Sequence, residues 1–186
     1  MKIYGTENSP FVRHCRIALL QQGFEFEFID ADRTVVATLS PTQKMPYFTD
    51  GTLTLSDSSS IVKYVREKAG EQFLPELANF ERYTMANTVM DTLINYRVLL
   101  GEGYTSTEIK YMGKQLKRAR SGLEMLNRDI DVDAELTEDS TLRTACLVDW
   151  GLFRECIDLD GLDNLARLLA NARTNEQFNS TAPPRG

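Results

Sequence analysis

The chain has 186 residues, 42% hydrophobic and 26% charged, which is typical of a folded globular protein with one large core or two small ones. Its net charge of -6 leaves no basic excess, so we expect neither nucleic acid nor a membrane surface as a partner. Three cysteines and one histidine argue against a disulfide framework and a metal site. An odd number of cysteines fits a reducing compartment, and the sequence shows neither a signal-peptide pattern nor an apolar run long enough to span a bilayer. We therefore expect a cytoplasmic protein.

Strand and helix signals alternate along the first part of the chain. Residues 2–4 predict a short strand, and Ser9 followed by Pro10 is typical of a helix start. Phenylalanines in every second position predict a strand over 24–28, and a short irregular helix is expected over 34–39.

A hairpin and a third helix complete this part. Two short strands, 46–49 and 52–55, flank a turn of the Asp-Gly type. Ser58 or Ser59 caps the next helix, which Gly70 ends. The resulting order, strand-helix-strand-helix-strand-strand-helix, is the thioredoxin-like βαβαββα order and predicts a mixed sheet covered by helices.

No convincing strand follows Leu77, so we predict an all-helical second half. The residues Thr105–Glu108 form a capping box expected to start a long helix. Other helices are expected near 77–100, 142–157 and 162–172, with a frayed tail at 179–186. The fold class is therefore α/β plus all-α, with domains at 1–73 and 77–186.

Three short motifs stand at the ends of these predicted elements. They are Ser9-Pro10-Phe11, Lys44-Met45-Pro46 and Asp57-Ser58. Together they resemble the cytosolic glutathione S-transferase family, in particular its serine-type members of the plant tau class and of bacteria. Leu147-Val148-Asp149-Trp150 is similar to the acidic staple that starts the family's core helix. The resemblance covers essentially the whole chain and implies a thioredoxin-like glutathione-binding domain followed by a helical domain.

The resemblance assigns thiol activation to Ser9. A hydroxyl at a helix N-terminus can donate a hydrogen bond to the sulfur of glutathione and favour its thiolate form. The alternative is that Ser9 only caps its helix, and both roles can hold together. Thioredoxins carry cysteines where Ser9 and Val12 stand here, so a dithiol centre is not possible at this place.

The other glutathione-binding residues follow from the chemistry of the tripeptide. Met45 precedes a proline, is therefore extended, and can pair with the peptide backbone of glutathione; the resemblance implies a cis Met45-Pro46 bond. Ser58 at a helix start can bind the γ-glutamyl carboxylate, and Asp57 the amino group. Lys44 can neutralise the glycyl carboxylate. Ordinary capping and a solvated lysine are the alternatives.

The hydrophobic electrophile that accepts the glutathione thiolate is expected to bind between the domains, against Phe11 and Tyr96. Arg13 is expected to be solvated, His14 exposed or locally bonded, and Cys15 a buried core thiol. The function that the resemblance implies is conjugation of glutathione, as co-substrate, to small hydrophobic electrophiles, as in detoxification, by a homodimer. A glutathione-dependent disulfide reductase or peroxidase and a non-catalytic binding protein remain as alternatives, and the physiological electrophile is left open.

Overall fold

The computed structural model describes residues 1–184, which belong to two compact units. One unit comprises Met1–Phe73 together with the described residues from Arg173 to Pro184, and the other comprises Leu74–Ala172. The C-terminal segment, which the sequence analysis placed in a 77–186 domain, thus groups with the first unit. The division into domains at 1–73 and 77–186 itself stays a prediction.

The first unit is built on a four-stranded mixed sheet. The strands are β1 (Lys2–Gly5), β2 (Glu27–Asp30), β3 (Tyr47–Asp50) and β4 (Leu53–Leu55). They lie in the order β2-β1-β3-β4. The central strand β1 runs parallel to β2 and antiparallel to β3, which forms the predicted hairpin with β4. This topology confirms the predicted thioredoxin-like fold class.

The strand β2 begins later than the alternating phenylalanines predicted. The backbone N–H of Phe24 donates to the carbonyl of Leu19, so Phe24 still belongs to the turn that leaves the first helix. Pairing with the neighbouring strand starts only at Glu27, whose N–H donates to the carbonyl of Met1. Because the turn after the first helix still uses the backbone N–H of Phe24, the strand that follows begins later than predicted.

Three helices of the first unit follow the predicted pattern: α1 (Pro10–Gln21), α2 (Arg33–Leu39) and α3 (Ser58–Lys68). The helices α1 and α3 pack against each other, and α2 contacts β1. A fully buried apolar core joins strands β1 and β3 to helices α1 and α3. Its members include Ile3, Val12, Cys15, Leu19, Phe48, Ile61, Val62 and Val65.

The second unit consists of four helices, and the structure contains no strand after β4 among residues 1–184, as predicted. The helices are α4 (Leu77–Gly101), α5 (Lys110–Asp129), α6 (Asp139–Phe153) and α7 (Asp163–Ala172). The two longest, α4 and α5, pack along each other, and α6 packs on α4.

Two predicted helix starts in this unit are wrong. The carboxylate of Glu108 accepts hydrogen bonds from the N–H and the hydroxyl of Thr105, which lowers the pKa of Glu108, but these residues form a turn and α5 begins at Lys110. The helix α6 begins at Asp139, where Glu138 is the N-cap. Asp149, predicted to lie at the start of the core helix, is therefore a buried residue well inside α6.

The predicted fraying of the tail from residue 179 is also wrong for the described residues. A short helix, α8 (Glu176–Ser180), is capped by Asn175, whose side chain accepts a hydrogen bond from the N–H of Phe178. Phe178 and Thr181 are buried because the segment packs on α1. Arg185 and Gly186 lie outside the described residues.

Among residues 1–184, no helix is both long and apolar enough to cross a bilayer.

Candidate active site

Ser9 occupies the N-cap of α1, as predicted. Its backbone is extended, and its Oγ accepts a hydrogen bond from the N–H of Val12 at 3.4 Å. The side chain is largely shielded from water, with 8% of the residue surface exposed. Because this bond uses only a lone pair of the hydroxyl, the Ser9 O–H can still donate to another acceptor. Capping and donation to a thiolate are thus compatible at this position.

The end of β1 brings the first turn of α1 against the loop that carries Met45. The key residue is Gly5: a Cβ atom placed on it would lie 2.5 Å from Cγ2 of Val12 and 3.2 Å from Cβ of Met45. Gly5 also has φ of 151°, which side chains rarely allow. Only glycine therefore permits these two segments to approach this closely.

The Met45 loop has the conformation that the resemblance implied. The Met45-Pro46 peptide bond is cis, which confirms the prediction. Thr6 holds the methionine side chain, because its N–H and its hydroxyl donate to Sδ of Met45 at 3.4 and 3.5 Å. Lys44, the preceding residue, is exposed. The backbone of Met45 is thus held close to the start of α1.

The N-terminus of α3 carries the third motif. Oδ1 of Asp57 accepts hydrogen bonds from the N–H groups of Ser59 and Ser60 at 2.8 and 3.1 Å, so Asp57 is the N-cap and Ser58 is the first residue of the helix. The prediction that Ser58 or Ser59 caps α3 is therefore wrong, because the carboxylate of the preceding residue binds these N–H groups. The carboxylate is exposed, whereas Ser58 is buried. The Sγ of Cys15 lies 3.6 Å from the backbone oxygen of Ser58, which connects α1 to α3. Asp57 therefore caps and presents a negative charge at the same place.

The two predicted acceptor-binding residues lie on different units. Phe11 is half-buried in the first turn of α1. Tyr96 is half-buried on α4, in the second unit. Their role towards a hydrophobic acceptor stays a prediction.

The environment of α1 corrects two sequence-based expectations and confirms a third. Arg13 is not solvated, because only 3% of its surface is exposed and its guanidinium contacts Phe178 of α8. His14 is fully buried, so an exposed position for it is wrong. Cys15 is a fully buried core residue, as predicted.

Gly5, Thr6 and the burial of Arg13 were not predicted from the sequence. A glycine directly after a short strand was a visible signal for a close backbone approach. Nothing near Arg13 in the sequence indicated its burial, because its partner Phe178 lies 165 positions away in the chain.

Comparison with known proteins identifies the family of the chain. The sequence model of the glutathione S-transferase N-terminal domain matches residues 3–73. The uncharacterized GST-like protein YibF of Escherichia coli strain K12 is 30% identical over 213 aligned positions, which cover all of both chains.

Solved structures show the same fold at lower identity. A glutathione S-transferase from Methylobacillus flagellatus KT with GSH bound is 21% identical, covers 98% of this chain and 99% of its own, and gives a TM-score of 0.84. A family member from Pseudomonas fluorescens Pf-5 with bound S-(propanoic acid)-glutathione is 18% identical, covers all of both chains and gives a TM-score of 0.82. With a relative matched along its entire length, the chain belongs to the glutathione S-transferase family.

Proposed function

We propose that the protein is a glutathione S-transferase that adds the thiolate of bound glutathione to small hydrophobic electrophiles. One observation supports this most strongly. Ser9, whose hydroxyl is shielded from water, caps α1 at the place where the Met45 loop, with its cis peptide bond, packs against the helix. The match to a GST-like relative over the whole chain supports the family to which this function belongs.

The ends of the tripeptide are matched by charges at the other two motifs. At the start of α3, two backbone N–H groups donate hydrogen bonds to Asp57. The positive end of the helix dipole also favours an anion from a ligand, and the γ-glutamyl carboxylate binds here, at Ser58. The exposed carboxylate of Asp57 pairs with the amino group of the same residue. Lys44 binds the glycyl carboxylate, and the extended backbone of Met45 pairs with the central cysteine.

Stabilisation of the thiolate is the chemical task of Ser9. A free thiol has a pKa near ~8.5, so only a few per cent is thiolate at pH 7. Lowering this pKa by about two units requires about 2.7 kcal/mol of preferential stabilisation of the anion. A hydroxyl donor at a helix N-terminus, shielded from water, acts in this direction.

The protein's own thiols are poor nucleophiles, which favours glutathione as the source of the reactive sulfur. Cys15 and Cys146 are buried. Cys156 is partly buried, and burial raises its pKa to about 11, so it is protonated at neutral pH. The three free thiols also fit a reducing, cytoplasmic setting.

Three assays test the function against its alternatives. Calorimetry should detect glutathione binding at millimolar concentration, and a chlorinated nitroaromatic should be turned over in its presence. Turnover of a small disulfide, but not of the aromatic compound, would instead indicate a reductase. Absence of glutathione binding would leave a non-catalytic protein and refute the proposal.

We expect Asp57→Asn to raise KM for glutathione about tenfold while kcat changes little. Asparagine is as good an N-cap as aspartate, so the helix start survives while the charge that pairs with the amino group is lost. Steady-state kinetics with glutathione as the varied substrate measure the effect.

Asp32→Asn is the matched control for this variant. Asp32 caps α2 with the same geometry, its Oδ1 accepting from the N–H groups of Thr34 and Val35 at 2.8 and 3.0 Å. An equal rise in KM in both variants would show that Asp57 has no specific role towards glutathione.

We further propose that the protein is a homodimer, as the family resemblance implies. On α4, Leu77 and Phe80 expose 79% and 44% of their surfaces, and apolar side chains this exposed favour a protein interface. Analytical ultracentrifugation should give a mass about twice that of one chain.

Phe80→Glu is expected to weaken this dimer at least tenfold, because it places a charge where an apolar ring would be covered. Val35→Glu, an exposed apolar position on α2, is the control and should leave the dimer unchanged. A monomeric wild-type protein at micromolar concentration would contradict the proposal.

A further inference from the structure

Arg13 lies one helical turn after Ser9, on the helix that Ser9 caps. Its backbone N–H donates to the carbonyl of Ser9 at 3.0 Å, the first hydrogen bond of α1. Its side chain is almost fully buried. Burial of a guanidinium costs free energy unless its N–H groups donate hydrogen bonds to acceptors. The contacts of Arg13 therefore indicate which segments hold α1 in place.

Those contacts include α8. Nη2 of Arg13 donates to the backbone oxygen of Phe178 at 2.7 Å, and the guanidinium lies 3.9 Å from the centre of the Phe178 ring. The ring is completely buried. The contact therefore combines a charge-assisted hydrogen bond with a cation–π interaction, both shielded from water.

This contact stabilises the helix α8, which has five residues, too few for a helix to persist by itself in water. Carbonyls at a helix C-terminus need hydrogen-bond partners, and a cation there is favourable. The oxygen of Phe178 accepts from the Thr181 hydroxyl at 3.2 Å and from Arg13, which also supplies the cation. Arg13 therefore fastens α8 to α1 beside the turn that carries Ser9.

We propose that Arg13 is a positioning residue for Ser9. By fastening α8 to the first turns of α1, it holds the Ser9 hydroxyl at the place where the sulfur of glutathione is to be bound, and this inference rests on the proposed function. The cap bond of Ser9 is long, at 3.4 Å, so the hydroxyl needs support from the packing around the helix. Small displacements of a catalytic group carry large rate penalties.

The test is Arg13→Met, which keeps an apolar stem but removes the donors and the charge. We expect kcat for conjugation to fall about tenfold, because thiolate stabilisation needs an aligned donor, while KM for glutathione changes less than about twofold. The pKa of bound glutathione, followed by thiolate absorbance, should rise. Arg13→Lys keeps one donor and the charge and should recover part of the loss.

A double variant separates positioning from general stability. If Arg13 acts through Ser9, then Arg13→Met should have almost no further effect on kcat in a Ser9→Ala background. The same tenfold loss in both backgrounds, or an unchanged pKa of the bound thiol in Arg13→Met, would overturn the proposal.

Arg66→Met provides the matched control. Arg66 is an equally buried arginine near the C-terminal end of α3, where Nη2 donates to Oε1 of Gln21 at 2.7 Å. We expect its replacement to lower the thermal midpoint but not to shift the pKa of the bound thiol. An equal pKa shift in both variants would show that loss of any buried arginine suffices, and the proposal would be wrong.

One measurement does not depend on glutathione. Exchange of the Val12 amide hydrogen reports the cap bond to Ser9 directly in the free protein. Arg13→Met and the milder Phe178→Leu should both accelerate it several-fold relative to amides of α3. If the wild type binds no glutathione, the proposed function fails, and unchanged Val12 exchange would separately refute the contact as a support for Ser9.

Discussion

Replacement of Ser9 with alanine is expected to raise the pKa of bound glutathione by about two units, back towards the ~8.5 of a free thiol. Such a shift reduces the thiolate fraction at pH 7 by about 25-fold, and kcat should fall in proportion. Glutathione affinity should change little, because the carboxylates, the amino group and the backbone of the tripeptide are bound elsewhere.

The pH–rate profile measures this effect with its sign. The wild-type and alanine variants should converge above about pH 9.5, where the thiol ionises without assistance, and diverge as the pH falls. Identical profiles would refute Ser9 as the activating group.

Two further substitutions distinguish capping from activation. Ser9→Thr keeps a hydroxyl and a good N-cap and should retain activity. Ser9→Asp also caps the helix, but an ionised carboxylate cannot donate to sulfur and repels the thiolate. Ser9→Ala loses about 1 kcal/mol of cap stabilisation. The Ser9→Asp variant should therefore fold at least as well as Ser9→Ala and still be inactive.

Gly5→Ala is expected to lower the free energy of unfolding by about 2–4 kcal/mol and to abolish detectable glutathione binding. Overpacking costs ~1–3 kcal/mol, and a positive φ adds to it. The new methyl group would overlap Val12 of α1 at 2.5 Å and press on Met45, so one of the two must move. Both belong to segments that carry site residues, which is why binding is lost together with stability.

Urea denaturation with calorimetry of glutathione binding tests this, and Gly113→Ala is the control. Gly113 lies in α5, where an added Cβ would come no closer than 3.9 Å to the nearest atom. Alanine there should stabilise the protein by about 0.5–1 kcal/mol through its higher helix propensity. A Gly5→Ala protein that is as stable as the wild type and binds glutathione would contradict the role given to Gly5.

Agreement between sequence and structure is best where signals are local. The cap at Ser9 and the turn between β3 and β4 depend on neighbouring residues, and both form as predicted, whereas α3 is capped by Asp57 and not by Ser58 or Ser59. The capping box at Thr105 shows the limit of such signals: its hydrogen bonds form, but the helix begins later. A local motif specifies its own hydrogen bonds and not the length of the element that follows.

The predictions failed mainly for polar side chains that become buried. Arg13 and His14 lie on a helix that the local pattern shows as half solvated, and both are buried. The tail was expected to fray because chain termini are often poorly ordered, yet Phe178 anchors it. Each outcome depends on a segment remote in the chain, and a single sequence carries no local signal for such an encounter.

The sequence by itself determined the order of the strands and of helices α1–α7 and the positions of the three motifs, because caps, turns and hydrophobic periodicity are properties of a few adjacent residues. The motifs also carried the resemblance to the family. Only the tertiary structure decided that Gly5 brings α1 against the Met45 loop and that Arg13 is buried against α8. Both are close approaches between segments distant in sequence. Shape and volume specify such contacts, and these exist only once the chain has folded.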